Sequence, residues 1–202
     1  MDMVSKRVPP PYYRTASPLL SPHRTRSGPA IGRHPTAFVA YLHESDRHKA
    51  DVLHFATFLR SCGVDAQLDR WFTGRRQDWY AWAAQLITRA DFVIVMASPS
   101  CRTVGDGQAP AHLNLGGQSE MCLLRELLQR DRATWTQRLL PVVLPGHSWH
   151  EIPLFLQPLT ADHYPVTDLT PRGAESLLRT ITVQRAHLRP PLGPLIAFPV
   201  QA

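Results

Sequence analysis

Short apolar runs alternate with longer segments of mixed polarity through the middle of the chain. The clearest runs are "DFVIVMASP" at 91–99 and "AFVAYL" at 37–42. Continuous apolar runs of this length, rich in residues that favour strands, are typical of strands buried on both faces of a sheet. Three weaker runs complete the predicted strands: "VDAQL" (64–68), "RLLPVVLPG" (138–146) and a brief strand near "HYPV" (163–166).

The segments between the strands carry apolar residues at helical spacing. In "SDRHKADVLHFATFLRSCG" they recur every three or four residues, with Ser45 placed to cap the start of the helix and Gly63 to end it. We expect Asp78 to cap the second helix in the same way. The further predicted helices are one at 78–90, one that begins just after the two glycines of "GGQSEMCLLRELL" (116–128), a short one near "WHEIPLFL" and a last one at 171–188.

The alternation of strand and helix predicts an α/β fold, in which a parallel sheet carries helices on both faces. With five strands, we expect the flavodoxin-like strand order 2-1-3-4-5. In such a sheet a ligand binds at the carboxyl ends of strands 1 and 3, where the direction of winding switches.

Basic charge and proline are concentrated at the start of the chain. The net charge is +6, but residues 1–35 hold six basic side chains against the single acid Asp2, so the remainder is close to neutral. Seven of the 19 prolines fall in the same stretch, which has no apolar periodicity, and this is typical of a disordered leader. We therefore expect a disordered basic leader over 1–35, a domain over 36–187 and a proline-rich tail over 188–202.

The composition of the expected domain excludes several classes of protein. A nearly neutral domain argues against a nucleic-acid-binding protein. No apolar run approaches the ~18 residues that a membrane helix needs, and the start of the chain lacks the apolar core of a signal peptide. Cys62, Cys101 and Cys122 are odd in number and not closely paired, which favours free, mostly buried thiols. We therefore expect a cytoplasmic protein without a membrane partner.

The motifs of the common cofactor and metal chemistries are missing from the sequence. No GxGxxG or GxxxxGK[ST] loop follows a predicted strand, and no GxSxG nucleophile elbow is present. A phosphoacceptor domain of this fold would need an aspartate at the end of strand 3, where the chain has Ala97-Ser98-Pro99. His147 and His150 are three residues apart but have no cysteine nearby. We expect neither a metal site nor a bound cofactor.

Several motifs together resemble the SEFIR domain, the branch of the TIR superfamily found in interleukin receptors and in many bacterial proteins. The resemblance is of the bacterial type and covers about residues 36–186. The chain departs from the bacterial pattern at Leu42, where a hydroxyl is expected, and at Ser119, where an aromatic residue is expected. The family's fold is the five-stranded arrangement expected above. The matching segments are "AFVAYLH" (37–43), "FLRSCGVDAQLDRW" (58–71), "WYAWAAQLITRADFVIVMASP" (79–99), the helix that holds "SEMCLLREL", "RLLPVV" (138–143) and "IPLFL" (152–156).

The resemblance implies one of two activities. TIR-type domains either act as adaptors that assemble with like domains, or assemble and also cleave NAD between nicotinamide and ribose, using one glutamate on the third helix. Glu120, near the start of that helix, is the candidate for the catalytic residue. Glu126 lies ~9 Å further along the helix and ~120° around its axis, so one site cannot readily use both. The alternative is that Glu120 only complements the helix dipole.

The same resemblance suggests which residues would bind NAD, as a substrate and not as a cofactor. Tyr41, Trp71 and Trp79 are expected to stack on the nicotinamide or adenine ring, and His43 to contact the substrate. Trp71 is equally well explained as a buried anchor. The loop at 70–78 is expected either to meet a neighbouring subunit or to carry plain solvated charge. Two hypotheses result: a self-assembling NAD hydrolase in bacterial antiphage defence, and a non-catalytic adaptor for like domains.

Overall fold

The computed structural model describes residues 33–74 and 76–198. Most of the predicted leader, the end of the predicted tail and Arg75 lie outside this part of the chain. The strands are β1 (Thr36–Ala40), β2 (Asp65–Gln67), β3 (Phe92–Met96), β4 (Leu139–Val143) and β5 (Tyr164–Pro165). The α-helices are α1 (Asp46–Ser61), α2 (Trp79–Arg89), α3 (Pro99–Gly105), α4 (Leu115–Arg130), α5 (Arg132–Arg138) and α6 (Glu175–Ile181).

The five strands form one parallel sheet in the order β2-β1-β3-β4-β5, which confirms the predicted fold. Its centre pairs Val39 of β1 with Ile94 of β3, and Ile94 with Leu140 of β4. Because the strands are parallel, all their carboxyl ends lie at one edge of the sheet. The winding direction switches between β1 and β3 at that edge, where a ligand crevice is expected in this topology.

Two hydrophobic layers cover the two faces of the sheet. Alternate residues of β1 divide between them, with Val39 in one layer and Phe38 in the other. Helices α1 and α6 pack on the face of Val39, and α2, α3, α4 and α5 pack on the face of Phe38. Both faces of the central strands are therefore buried, which explains why those strands appear in the sequence as unbroken apolar runs.

The predicted caps of the first two helices are present. The Ser45 hydroxyl accepts a hydrogen bond from the His48 amide at 3.1 Å, and the Asp78 carboxylate accepts one from the Ala81 amide at 3.0 Å. Gly63 follows α1 with a φ of +84°, a conformation that favours glycine. The boundaries of α1 and α2 consequently agree with the predicted ones to within two residues.

The region between β3 and β4 differs from the prediction. The structure has an unpredicted helix, α3, which Ser98 caps and in which Pro99 is the first residue. Helix α4 then begins at Leu115, so both glycines of the "GGQSE" motif lie inside it. The predicted position of Glu120 in the first turn of this helix is therefore wrong, because the residue lies in the second turn of α4. A further helix that was not predicted, α5, leads directly into β4.

The last predicted helices are shorter in the structure. The segment "WHEIPLFL" forms two 3₁₀ helices, Trp149–Glu151 and Leu154–Leu156. Helix α6 begins four residues after Pro171 because the preceding segment forms a turn, in which the Gly173 amide donates to the Thr170 hydroxyl at 3.1 Å. The helix ends before Val183, which has a φ of +56°.

One buried guanidinium joins the end of α5 to the end of α2. Nη2 of Arg138, the last residue of α5, donates to the carbonyl oxygens at the end of α2: Ile87 at 3.3 Å, Thr88 at 3.1 Å and Ala90 at 2.5 Å. The same guanidinium lies 4.0 Å from the centre of the Trp135 ring. These carbonyls have no partner within α2, so Arg138 caps the carboxyl end of that helix.

A further expectation concerns the three cysteines. Cys62, Cys101 and Cys122 are all free, as expected, but only Cys101 is buried, so the expectation of mostly buried thiols is wrong. Among the described residues, no helix has the length and apolar character needed to cross a membrane.

Candidate active site

A cavity of about 440 Å³ opens at the carboxyl end of β1. The segment after β2 and the first turns of α2 and α4 complete its walls. Strand β1 ends at Ala40, two residues before the predicted end, so the residues that follow it project beyond the sheet edge into this wall. Four of the five predicted site residues line the cavity: Tyr41, His43, Trp79 and Glu120.

The start of α4 keeps the cavity open beside Glu120. Gly116 and Gly117 both line it, and a Cβ atom added at Gly116 would meet nothing within 4 Å. The surroundings of Gly117 are the opposite, because an added Cβ would overlap Cδ1 of the buried Leu42 side chain. Leu42, which stands where the bacterial pattern has a hydroxyl, thus packs directly against the helix that carries Glu120.

Glu120 has an unusual electrostatic environment. Within the described residues, its carboxyl group has neither a hydrogen-bond partner nor an ion pair. Burial raises the pKa of Glu120 to about 7, the negative charge of Asp69 acts in the same direction, and the His43 ring opposes both. The residue remains partly accessible through the cavity. A carboxyl group in this position is half ionised near neutral pH and can stabilise a positive charge on a bound ligand.

Asp69 joins the part of the cavity wall that follows β2 to the part that follows β1. It is the first residue of a 3₁₀ helix, Asp69–Phe72, that follows β2. Its carboxylate accepts hydrogen bonds from the Tyr41 hydroxyl at 3.0 Å, from Nε2 of His43 at 2.8 Å and from the Arg70 amide at 2.7 Å. Burial alone would raise the pKa of Asp69, but the hydrogen bonds from His43 and Tyr41 outweigh it and hold that pKa below its ordinary value.

These hydrogen bonds fix the protonation and orientation of the two groups that make them. Burial and the adjacent Asp69 carboxylate raise the pKa of the Tyr41 phenol well above its ordinary value, so the hydroxyl stays protonated. The rings of Tyr41 and His43 lie 4.8 Å apart, centre to centre. Tyr41 is almost fully buried and has its hydroxyl engaged, which leaves little of its ring for stacking on a ligand.

An array of aromatic rings forms the other side of the cavity. Trp79 is 44% exposed and packs edge-on against Trp82, with the ring centres 5.6 Å apart. Phe72 and Phe38 lie 5.2 Å and 5.7 Å from the Trp82 ring. Trp82 packs against the core and also lines the cavity. The exposed face of Trp79 is the surface best placed to stack on a planar ligand.

Trp71 is the predicted site residue that the structure places elsewhere. Its ring is 38% exposed, lies outside the cavity wall and is covered by the Arg60 guanidinium at 5.6 Å. It is therefore not a buried anchor either. The neighbouring Arg70 does line the cavity, and its guanidinium donates to the Lys49 carbonyl at 3.3 Å.

Asp69 is the site residue that the sequence analysis did not identify. The sequence carries a usable signal, because an acid directly after a strand of a parallel sheet lies at the carboxyl edge, next to the ligand crevice. The "QLD" segment after β2 has this form.

A second polar cluster lies on the α1 side of the same edge. His48 is only 3% exposed, and neither of its ring nitrogens has a hydrogen-bond partner among the residues that the structure describes. Its ring packs edge-on against His147 at 5.2 Å and lies 6.2 Å from Tyr41. Nδ1 of His147 contacts the Glu151 carboxylate at 2.6 Å. Burial lowers the pKa of His48, and the Glu44 carboxylate opposes this.

The described side chains of the two clusters do not form a metal site. Over residues 33–74 and 76–198, no group of three or more histidine, cysteine, aspartate or glutamate side chains could hold a metal ion. His150 stacks on Trp149 instead of joining His147. Glu126 is exposed on α4 and lies outside the cavity.

Comparison with known proteins agrees with the resemblance found in the sequence. A family model described as the SEFIR domain matches residues 35–172. Among solved structures, the chain is similar to a crystal structure of a prokaryotic SEFIR domain. The TM-score is 0.53 and the sequence identity 23%, over 79% of this chain and 99% of that chain. At this identity the structural likeness supports the fold alone. No curated protein matches the chain.

Proposed function

Because the chain belongs to the SEFIR family of signalling domains, we propose that it self-associates and that its cavity hydrolyses NAD to nicotinamide and ADP-ribose. The observation that carries the enzymatic part is the Glu120 carboxyl, which has no hydrogen-bond partner among the described residues and faces an aromatic cavity. A carboxylate beside the ribose is the main requirement of this reaction. The nicotinamide nitrogen is already cationic and leaves without a general acid.

The proposed reaction uses one carboxylate, that of Glu120, in two successive roles. As the bond between C1′ and the nicotinamide nitrogen breaks, its electron pair leaves with the nicotinamide and a positive charge develops on the ribosyl ring. The Glu120 carboxylate stabilises this charge, as carboxylates do in glycoside hydrolysis. Water then attacks C1′, and Glu120, whose pKa of about 7 suits proton transfer at neutral pH, accepts the proton from the water.

The other cavity residues take supporting roles in this proposal. Trp79 stacks on the nicotinamide ring through its exposed face. His43 contacts the substrate at the cavity wall, with its ring held by Asp69. Tyr41 acts through the same carboxylate and not by stacking, because its ring is buried. We assign no substrate contact to Trp71, which faces away from the cavity.

The decisive test compares two glutamates of the same helix. Glu120→Gln keeps the size of the side chain but removes the charge, and we expect it to lower the rate of nicotinamide release by about 10²–10³-fold. Glu126→Gln, a matched change at an exposed position of α4, should retain most of the activity. The assay measures free nicotinamide at equal folded fraction and equal oligomeric state. Equal rates for the parent and Glu120→Gln would show that the assignment is wrong.

One observation favours the second candidate function, a non-catalytic adaptor. Leu42 replaces the hydroxyl of the bacterial pattern and fills the cavity wall against α4. If the assembled parent protein releases no nicotinamide from NAD, the adaptor function is the correct one. Glu120 would then have a structural role only.

Self-association is proposed to involve the loop at 70–78. Within it, Arg76 is exposed and has no partner among the described residues. Arg76→Glu is expected to abolish association without unfolding the domain, whereas Arg47→Glu on the exposed face of α1 should leave it intact. Light scattering that finds the same oligomers in Arg76→Glu and in the parent would remove the loop from the interface.

We further propose that the protein acts in the bacterial cytoplasm, in defence against phage. Hydrolysis of cellular NAD would halt the growth of an infected cell, and the three free thiols fit a reducing compartment. Expression in a bacterial host during phage infection should lower cellular NAD in the parent but not in Glu120→Gln. Equal protection from phage by the parent and by Glu120→Gln would show that defence does not depend on NAD cleavage.

A further inference from the structure

The chain from residue 188 to 198, called here the tail segment, exposes large apolar side chains. It forms neither helix nor strand. Its five large apolar residues are between 79% and 100% exposed, and none belongs to either hydrophobic layer: Leu188, Leu192, Leu195, Ile196 and Phe198. Contiguous apolar exposure of this kind marks a surface that another molecule covers.

The prolines of the tail segment make it a preorganised ligand. Pro190, Pro191 and Pro194 fix the backbone dihedral φ at three of the first seven positions. Segments of this type adopt extended polyproline geometry and lose little conformational entropy when they bind. The surface that accepts them in proteins is a groove lined by aromatic rings, on which the proline rings pack.

The mouth of the cavity is a groove of that kind. We define the aromatic mouth as Trp79 and Trp82, which line the cavity, together with Phe72, which packs against Trp82. The ring centres of Phe72 and of the half-exposed Trp79 lie 5.2 Å and 5.6 Å from that of Trp82. Edge-on packing of the two indoles leaves a step between their faces. A proline ring fits into such a step by apolar contact.

The charges of the two surfaces are complementary. Arg189, next to the first proline of the tail segment, is exposed and has no partner within the part of the chain that the structure describes. Glu120, behind the aromatic mouth, is likewise without a partner there. When the prolines lie on Trp79 and Trp82, Arg189 can reach into the cavity and pair with Glu120.

The tail segment leaves the domain far from the mouth of its own chain. It follows α6, which packs on the same face of the sheet as α1, whereas α2 and α4 frame the mouth on the other face. Thr180, near the end of α6, lines one pocket together with Leu139 and Tyr164, the first residues of β4 and β5, and so lies towards the amino edge of the sheet. The cavity is at the carboxyl edge.

We propose that the tail segment of one copy docks in the aromatic mouth of a second copy of this chain. The contact joins two different surfaces, so it propagates from copy to copy instead of closing a symmetric pair. It specifies how the loop at 70–78 meets a neighbouring subunit in the proposed assembly, because Thr73 of that loop lines the same cavity. It does not rest on NAD cleavage, because it requires only the aromatic rings and the charge of Glu120. A docked tail segment would also cover the entrance to the cavity.

The test uses full-length variants and sedimentation velocity over a range of concentrations. The tail variant carries Leu195→Asp and Ile196→Asp, and the mouth variant carries Trp79→Ala. Each alone should lose the concentration-dependent association of the parent. Their equimolar mixture should form heterodimers and nothing larger, because it offers only one intact tail–mouth pair. Leu159→Asp, at an exposed leucine outside both surfaces, is the matched control and should associate like the parent.

Three outcomes would overturn the proposal: a parent that stays monomeric at all concentrations, a tail variant that associates like the parent, or a mixture without heterodimers. The tail substitutions lie at fully exposed positions, so they test the contact even if Trp79→Ala destabilises the domain. In the heterodimer, Arg189→Gln and Glu120→Gln should each weaken binding about tenfold, and together no more than either alone. A parent protein that associates but releases no nicotinamide from NAD would refute the proposed enzyme and leave this contact standing.

Discussion

At the scale of single residues, Glu120 holds a carboxyl group whose ionised form the fold disfavours. Its pKa in the folded chain is about 7, above the value expected of an unfolded glutamate. As pH rises from about 4.5 to 7, the unfolded chain loses this proton before the folded chain does, so the free energy of unfolding falls across that window. The ionised form of this carboxyl group therefore opposes stability.

Glu120→Gln should therefore stabilise the protein at high pH. We expect it to raise the free energy of unfolding by about 1–3 kcal/mol at pH 8 and to change it little at pH 4, where both states are protonated. Denaturant titrations at the two pH values measure the difference, with Glu126→Gln as the control that should show none. A Glu120→Gln variant that is no more stable than the parent at pH 8 would contradict the raised pKa.

His48 has the opposite dependence on pH. Burial and the adjacent His147 depress its pKa, so the unfolded chain binds this proton first as pH falls below about 6.5, and stability is lost on acidification. His48→Phe keeps a ring against Tyr41 and His147 but removes two buried nitrogens that have no partner in the described part of the chain. We expect it to gain about 1–2 kcal/mol over the parent at pH 5 and less at pH 8. Parallel stability curves for the two proteins would exclude His48 as the source of the acid sensitivity.

Most of the candidate residues could be placed from the sequence because they follow or precede elements whose ends share one sheet edge. Tyr41 and His43 come directly after β1, and Trp79 opens α2. Trp71 was misplaced because a 3₁₀ helix, with three residues per turn, points residues two apart in different directions. Asp69 faces the cavity from that helix, whereas Trp71 turns away to Arg60.

At the scale of elements, α2 depends on a residue that is distant in sequence. The three hydrogen bonds from Arg138 satisfy buried carbonyl groups at its end, where propensity supplies no cap. Arg138→Met should lower the free energy of unfolding by about 2–4 kcal/mol, because it leaves these carbonyls buried without partners. Arg132→Met, at an exposed position of α5, should change the free energy of unfolding by less than about 0.5 kcal/mol.

Hydrogen exchange locates that effect. Amides in the last turn of α2 should exchange faster in Arg138→Met than in the parent, before the rest of the domain is affected. Uniform acceleration throughout the domain would show that Arg138 stabilises the core as a whole and not the helix end.

The sequence contains a recognisable signal for α3 but none for the start of α4. Ser98 followed by Pro99 is a recognisable start of a helix, a cap with proline at the first position, but the residues were assigned to the end of β3. The start of α4 has no such signal. Asn114 precedes it in the left-handed conformation without a side-chain cap, and two glycines fill its first turn. Helix α4 as a whole packs against α2 and α3, so its tertiary contacts offset the low helix propensity of its start.

At the scale of the whole molecule, the sheet order followed from the sequence because few connections satisfy the rules for parallel strands. The unbroken apolar character of β3 and β4 marks them as central, and right-handed crossovers leave the observed order as the natural arrangement. The ends of the domain were harder to place. Arg33 and His34, assigned to the leader, contact Asp91 and Gly63.

Removal of residues 1–32 should leave the melting temperature nearly unchanged. These residues hold most of the net charge and have no periodic apolar face. Removal of residues 1–35 should lower it, because it also deletes the Arg33–Asp91 ion pair and the Pro35 carbonyl that accepts from the Asp65 amide at 2.8 Å. Calorimetry compares the two. A drop of ~5 °C or more for the shorter deletion, equivalent to about 1 kcal/mol, would show that the leader packs on the domain.

The close packing of Leu42 against Gly117 also restricts the order in which substitutions at these two positions can accumulate during evolution. A side chain at position 117 overlaps Leu42, so a lineage that carries this leucine cannot acquire one there in a single step. The leucine must first become smaller, for example the hydroxyl residue of the bacterial pattern. Descendants of this chain should therefore keep Gly117 for as long as they keep Leu42. Relatives with a bulkier residue at position 117 should have a small one at position 42, so that the two positions are inherited as a pair.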